Sequence, residues 1–310
     1  MSIALISHVT CREHDPGPGH PECAARLSAI DDALIASHAE LLCQRYSAVP
    51  VTREQLVRVH ASRYIEQLFA VAPHTGYVAL DADTVMSAGT LPAALHAAGA
   101  GVQAVDLVMT GKHAAAFCAV RPPGHHARRN QGLGFCFFNN VAVATKHALE
   151  HYALSRVAIV DFDIHHGNGT EEIFRDDARV MLCSTFESGN YASQWAGQND
   201  SRHLNIALQD VSSGRTLRDA YRGSIVPALD AFAPQLILFS AGFDGHCEDE
   251  LSRACFRESD YGWITAQVRT VALRHANGRM VSALEGGYAL DALGRCVVAH
   301  VQALAGEPVE

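Results

Sequence analysis

The stretch Asp161-Phe-Asp163-Ile-His165-His166 puts two acids and two histidines within six residues, directly after the apolar run Val157–Val160. In extended chain, residues i and i+2 point to the same side. The Asp163 carboxylate and the His165 imidazole can therefore aim at one ion. Asp244 closes Ser240-Ala-Gly-Phe-Asp244, after a second apolar run, Leu236–Phe239, and is the third candidate. An Asp/His/Asp set with an open position suits a catalytic divalent ion, zinc first. Read alone, D-x-D-x-H is just as well a solvated turn or a helix N-cap. Asp244 and the paired histidines shift the reading to a metal centre.

A second His-His pair lies in Arg121-Pro-Pro-Gly-His125-His126-Ala127. The prolines and glycine stiffen that loop. Two imidazoles held beside a metal can move the proton of a water molecule. Each needs a partner for its second nitrogen to fix its tautomer; Asp161 and Asn168 are free for that. Gly134-Phe-Cys-Phe-Phe-Asn-Asn140 offers Phe135 as a pocket wall, with Phe137 and Phe138 expected in the core. In Leu284-Glu-Gly-Gly-Tyr288 the glycines allow a sharp turn close to a ligand, and the Tyr288 hydroxyl can donate to a developing oxyanion.

The elements that must position these groups alternate. Apolar, β-branched runs at 3–9, 114–120, 157–160, 179–184, 203–208, 236–239 and 280–284 predict strands. Amphipathic stretches at 21–36, 91–109, 139–152, 216–232, 260–275 and 290–304 predict helices. Strands alternating with helices argue for a mostly parallel sheet covered on both faces, an α/β fold in three layers. The four polar clusters follow four of the strands, where parallel sheets bind ligands. With no repeat and no linker, residues 1–310 read as one domain.

Composition narrows the class. The 310 residues are 48% hydrophobic and 18% charged, as expected of a globular chain. A net charge of −9 gives no electrostatic footprint for nucleic acid. No apolar run approaches the roughly 18 residues of a membrane span, and the N-terminus does not read as a signal peptide. Nine cysteines, scattered and without C-x-x-C, read as reduced thiols of a cytoplasmic protein.

Together these motifs resemble the zinc-dependent histone deacetylases, in particular class II and the bacterial histone-deacetylase-like amidohydrolases. The resemblance runs from "GHPECAARLSAI" through "RPPGHHA", "GFCFFNN", "VDFDIHHGNGT" and "SAGFD" to "EGGY". It implies an arginase-like α/β/α fold and hydrolysis of an N-acyl amide on an acylated lysine or a small acylated amine. It implies zinc on Asp163, His165 and Asp244. It pairs His125 with Asp161 and His126 with Asn168, making His126 the general base and acid and His125 mainly electrostatic. Tyr288 polarises the acyl carbonyl, and Gly134 and Phe135 form one channel wall. Asp161 and Ser184, with main-chain oxygens, match a structural potassium site, and Arg26 matches an inner channel. The chain departs from the family after Ser184, where "TFESGNYASQWAGQND" replaces an aromatic-Pro-Gly loop. Tyr191 or Trp195 would supply the second wall there.

The acetylpolyamine amidohydrolases share nearly all these motifs, and their polyamine-selective members carry a glutamate at a rim position that falls on Leu251 here. A leucine at the rim favours an acyl-lysine side chain over a polyamine; a shift of one residue would put Glu250 there instead. An arginase-type ureohydrolase would want a further acid set that "GFDGHCEDE" supplies poorly. A catalytically silent acyl-lysine binder would lack a ligand or the tyrosine, and this chain has all of them.

Overall fold

A computed structural model describes residues 2–308 of the chain. In chain order the elements are β1 (Ile3–Ser7), α1 (Ala25–Ala36), β2 (Cys43–Ser47), α2 (Arg53–Val57), α3 (Ser62–Val71), β3 (Val78–Ala79), β4 (Val85–Met86), α4 (Thr90–Met109), β5 (Ala115–Cys118), α5 (Asn140–His151), β6 (Val157–Asp161), α6 (Asn168–Phe174), β7 (Val180–Glu187), β8 (His203–Leu208), α7 (Gly214–Ala220), α8 (Val226–Phe232), β9 (Leu236–Ala241), α9 (Glu258–His275), β10 (Met280–Leu284) and α10 (Leu290–Ala305). Short 3-10 turns and one π turn connect some of them.

Eight strands form one sheet in the order β2-β1-β5-β10-β9-β6-β7-β8. Every pairing in it is parallel. The central strands β5, β6, β9 and β10 are buried at every residue. Apart from Asp161 at the end of β6, that explains their apolar or small-residue character, because a strand covered on both faces has no solvent side to mark with polar residues. α4 and α5 pack together on one group of strands, while α1, α10 and α9 pack side by side. The result is the three-layer α/β/α architecture that the strand-helix alternation predicts.

Four differences from the sequence pattern have local causes. α1 begins at Ala25 and not at Pro21, because Glu22 is turned inward to pair with Arg121. The stretch predicted as one helix over 216–232 is broken into α7 and α8 by a π turn at Tyr221–Ile225. Pro227, at the start of α8, lacks the N–H that an uninterrupted α-helix would use. The edge strand β2 reads Cys-Gln-Arg-Tyr-Ser and is half exposed, so it carries no apolar run to find. α4 is long and apolar enough to cross a membrane by length and composition, unlike the apolar runs of the sequence reading. Yet 61% of that window is buried, and the helix packs on α5, β1, β5 and β10.

Candidate active site

β5, β10, β9 and β6 are consecutive in the sheet and parallel. Their carboxyl ends therefore lie along one edge, and the four polar clusters follow them. A pocket of about 170 Å³ opens there, lined by Asp83, Pro123, His125, His126, Gly134, Phe135, Asp163, His165, Tyr191, Leu251, Gly286 and Tyr288.

At its floor Asp163, His165 and Asp244 each offer one ligand atom, all within 4.8 Å of one another. His165 Nδ1 is 2.9 Å from Asp244 Oδ2 and 3.2 Å from Asp163 Oδ1. Backbone N–H groups orient the carboxylates: His165 and Gly286 donate to Asp163, and Ile164 donates to Asp244. Gly286 is required here, since a Cβ would fall on both carboxylates. Burial, and then the neighbouring Asp163 carboxylate, push Asp244 up to about 6. Two buried carboxylates that repel one another, with an imidazole between them, make a donor set whose charge a divalent cation neutralises. The residues present fit zinc.

Above the floor, His125 donates Nδ1–H to Asp161 at 3.0 Å. His126 Nδ1 lies 2.7 Å from the side-chain amide of Asn168. The two rings lie with centroids 4.0 Å apart and their planes tilted by 40°. Burial opposes the charge of His125, but Asp161, Asp163 and Glu285 outweigh it and raise the imidazole to about 10. Burial, reinforced by His125 and His165, holds His126 well below the usual imidazole range. The two histidines are thus driven apart electrostatically, a pattern found where acid-base roles are divided.

Phe135 stands edge-on to Tyr288, ring centroids 5.9 Å apart. Its φ of 68° is a left-handed conformation that a bulky residue rarely adopts, which ties local backbone strain to a pocket wall. Gly134, before it, brings the chain so close that a Cβ would strike the His126 ring. Phe137 and Phe138 are buried in the core. Of the two aromatics that replace the usual loop, Tyr191 lines the pocket and Trp195 stands behind it, edge-on at 4.7 Å. Burial, tempered by Arg26, raises the Tyr288 hydroxyl well above its ordinary value, so it stays a donor. The Arg26 guanidinium lies behind that ring at 4.9 Å and donates to the carbonyl oxygens of Gly287 and Glu285. Asp161 and Ser184 are register partners across β6 and β7, and the Ser184 hydroxyl meets His166 Nδ1 at 3.0 Å. Cys136 and Cys183 are buried free thiols; burial raises both, Cys183 to about 12.

Three site residues escape the sequence reading. Glu285 accepts from the N–H groups of Gly124 and His125 and from the Ser240 hydroxyl, and so anchors the Pro-Pro-Gly loop. Its place in Glu-Gly-Gly-Tyr was the available signal. Asp249 accepts from the N–H groups of Tyr288 and Ala289. Asp83 lines the pocket from the loop before β4; its place in Leu80-Asp-Ala-Asp83-Thr84, a stretch that resembles the family, was the available signal.

The histone deacetylase domain family matches residues 20–304. An uncharacterized protein of Synechocystis is 36% identical, over 97% of this chain and 99% of its own. The histone deacetylase-like amidohydrolase of Pseudomonas aeruginosa is 35% identical, over 93% of this chain and 77% of its own. Among solved structures, the HDA15 HD domain superposes with a TM-score of 0.91 at 28% identity, covering 100% of this chain and 90% of that one. The chain belongs to the histone deacetylase family. Its fold is the α/β fold of that family, and it is a hydrolase of the deacetylase and amidohydrolase type.

Proposed function

We propose that this protein hydrolyses N-acyl amides with zinc held by Asp163, His165 and Asp244, and that its preferred substrate is an acylated lysine side chain. The observation that carries the reading is a pocket lined by Asp163 and His165 of the Asp/His/Asp set, by the His125–His126 pair above them, and by Tyr288 and Phe135 on its walls. When bound, zinc supplies Lewis acidity toward the acyl oxygen and a water molecule. Tyr288 donates its O–H to the oxygen as negative charge develops there. The histidine pair takes the proton of the attacking water and returns it to the leaving amine. Phe135, Leu251 and Tyr191 contact the methylene chain and keep bulk water from the reacting bond. The same reading gives Asp161 and Ser184 a structural potassium ion, with the location in the cytoplasm.

Leu251 lines the pocket, whereas Glu250 is not among the described lining residues. An apolar rim supports the acyl-lysine preference, because a polyamine gains there only from a carboxylate. One observation favours the alternative, an acetylpolyamine amidohydrolase: Asp83 is also at the mouth. Burial, and then Asp81, raise its carboxyl, which weakens it as an anchor for an ammonium group. The test compares kcat/KM for an acetyl-lysine peptide with that for N-acetylputrescine, in the wild type and in Leu251→Glu. The peptide is expected to be preferred, with Leu251→Glu shifting the ratio toward the polyamine. A wild type that prefers the polyamine, and loses that preference in Asp83→Asn, refutes the lysine reading.

A further inference from the structure

Gly286 and Gly287 give the turn before Tyr288 wide conformational freedom, and Gly287 uses it at a φ of 117°. A turn that free does not place the Tyr288 hydroxyl by itself. On its carbonyl side Arg26 holds Glu285 and Gly287. On its N–H side the holder is Asp249. Its Oδ2 accepts from Tyr288 N–H at 2.6 Å and from Ala289 N–H at 3.0 Å. Ala289 is the N-cap of α10 and has no side-chain oxygen with which to cap the helix. Asp249 supplies that oxygen from the loop after β9, and a negative charge is favoured at the N-terminal end of a 16-residue helix.

The other oxygen of the same carboxylate faces the rim. Asp249 Oδ1 accepts from Leu251 N–H at 3.1 Å. Leu251 lines the pocket and is 41% exposed, whereas Asp249 is buried. The loop is pinned beyond Leu251 as well. The Ser252 hydroxyl donates to the carbonyl oxygen of Asp244 at 2.8 Å, and Arg253 Nε meets Glu187 at 2.7 Å. One buried carboxylate thus joins the residue at the pocket rim to the turn that presents the oxyanion donor.

We infer that Asp249 is a positioning residue that ties the rim to the reaction: Oδ2 fixes Tyr288 over the acyl oxygen, and Oδ1 fixes Leu251 against the methylene chain. The inference rests on the hydrolase reading above and deepens it. Asp249 is not among the described pocket-lining residues; it acts through the two residues it holds. Without it, Tyr288 moves with the glycine turn, and a misplacement of about 1 Å costs on the order of 10²-fold in rate.

The test is a double-mutant cycle on zinc-loaded protein with an acetyl-lysine peptide. Asp249→Ala is expected to keep zinc and to lose on the order of 10² in kcat. In a Tyr288→Phe background the same change should cost almost nothing more, because the group it positions is already gone. Asp249→Asn recovers most of the turnover lost in Asp249→Ala. Its amide oxygen takes the two N–H groups of Tyr288 and Ala289 and leaves its NH2 against Leu251 N–H, so KM rises about three- to tenfold for the lost hydrogen bond. An equal loss of kcat from Asp249→Ala in both backgrounds overturns the inference, as does wild-type kcat or lost zinc in folded Asp249→Ala. Where Asp249→Ala does not fold, Asp249→Asn decides. Raised KM with kcat largely kept supports the inference; unchanged KM, or kcat lost equally in both Tyr288 backgrounds, overturns it. A readout without turnover is ¹³C NMR of ring-labelled tyrosine, with Tyr288 assigned by its loss in Tyr288→Phe. Its signal should shift in Asp249→Ala and stay in place in Asp249→Asn, and an unshifted signal in folded Asp249→Ala overturns the inference. A wild type that hydrolyses no acyl amide sinks the hydrolase reading, and the spectrum still decides whether Asp249 places Tyr288.

Discussion

Asp163 and Asp244 are both buried, and among the described residues no lysine or arginine is bonded to either; their hydrogen-bond partners are His165 and backbone N–H groups. Buried carboxylates are stabilised only by neutralisation or a cation. Asp163→Ala and Asp244→Ala should each lose tightly held zinc, measured by elemental analysis, while far-UV circular dichroism stays native. Metal retained at one ion per chain in both variants would exclude this set as the centre. Tyr288 contributes through one O–H. Tyr288→Phe should keep zinc and the melting temperature and lose on the order of 10²–10³ in kcat. Near-native turnover would place the hydroxyl outside the chemistry.

At the scale of elements, the site is assembled from strand ends and the turns that follow them. Gly286 follows β10 and approaches both metal-binding carboxylates. Gly286→Ala would press a Cβ on both donor carboxylates and disturb the N–H that orients Asp163. Such changes typically cost 10–100-fold in metal affinity. The expected outcome is zinc binding weakened by about that factor in competition with a chelator, in a protein that still folds. Unchanged affinity would mean that the turn can give way. Asp249 does comparable work across the pocket, where it caps the turn that presents Tyr288 and starts α10.

The whole molecule is tied together by a charged cluster under the site. Glu22 meets Arg121 and Arg26, all three buried, with His14 at 3.2 Å. Burial alone would raise the Glu22 carboxyl, but Arg121, His14 and Arg26 outweigh it and hold it well below the usual range. The unfolded chain then binds this proton more readily than the folded one. The pair's contribution is complete above the unfolded carboxyl value, about 4.3, and is lost as pH falls below it. Melting temperature should therefore drop between about pH 5 and pH 3, and Glu22→Gln should flatten part of that slope. An identical slope in Glu22→Gln would remove the cluster from the acid transition. Glu22→Ala leaves Arg121 buried without its partner and should cost about 3–5 kcal/mol in urea unfolding.

The sequence by itself determined which residues could do chemistry and which strands they follow. The i, i+2 spacing of Asp163 and His165 suggested one side of an extended chain; in the structure both stand in the bend after β6, and there they meet. Val157–Val160 and Leu236–Phe239 declare buried strands because both of their faces are covered. Long motifs such as "RPPGHHA" and "EGGY" carry the family. Only the tertiary structure decided that β5, β10, β9 and β6 are neighbours, since strand order is set by crossovers that leave no periodic trace. The roles of Glu285, Asp249 and Asp83 also depend on contacts between segments far apart in the chain. Tyr191 at the pocket and Trp195 behind it were indistinguishable as residue types; the 3-10 turn Tyr191–Trp195 separates them.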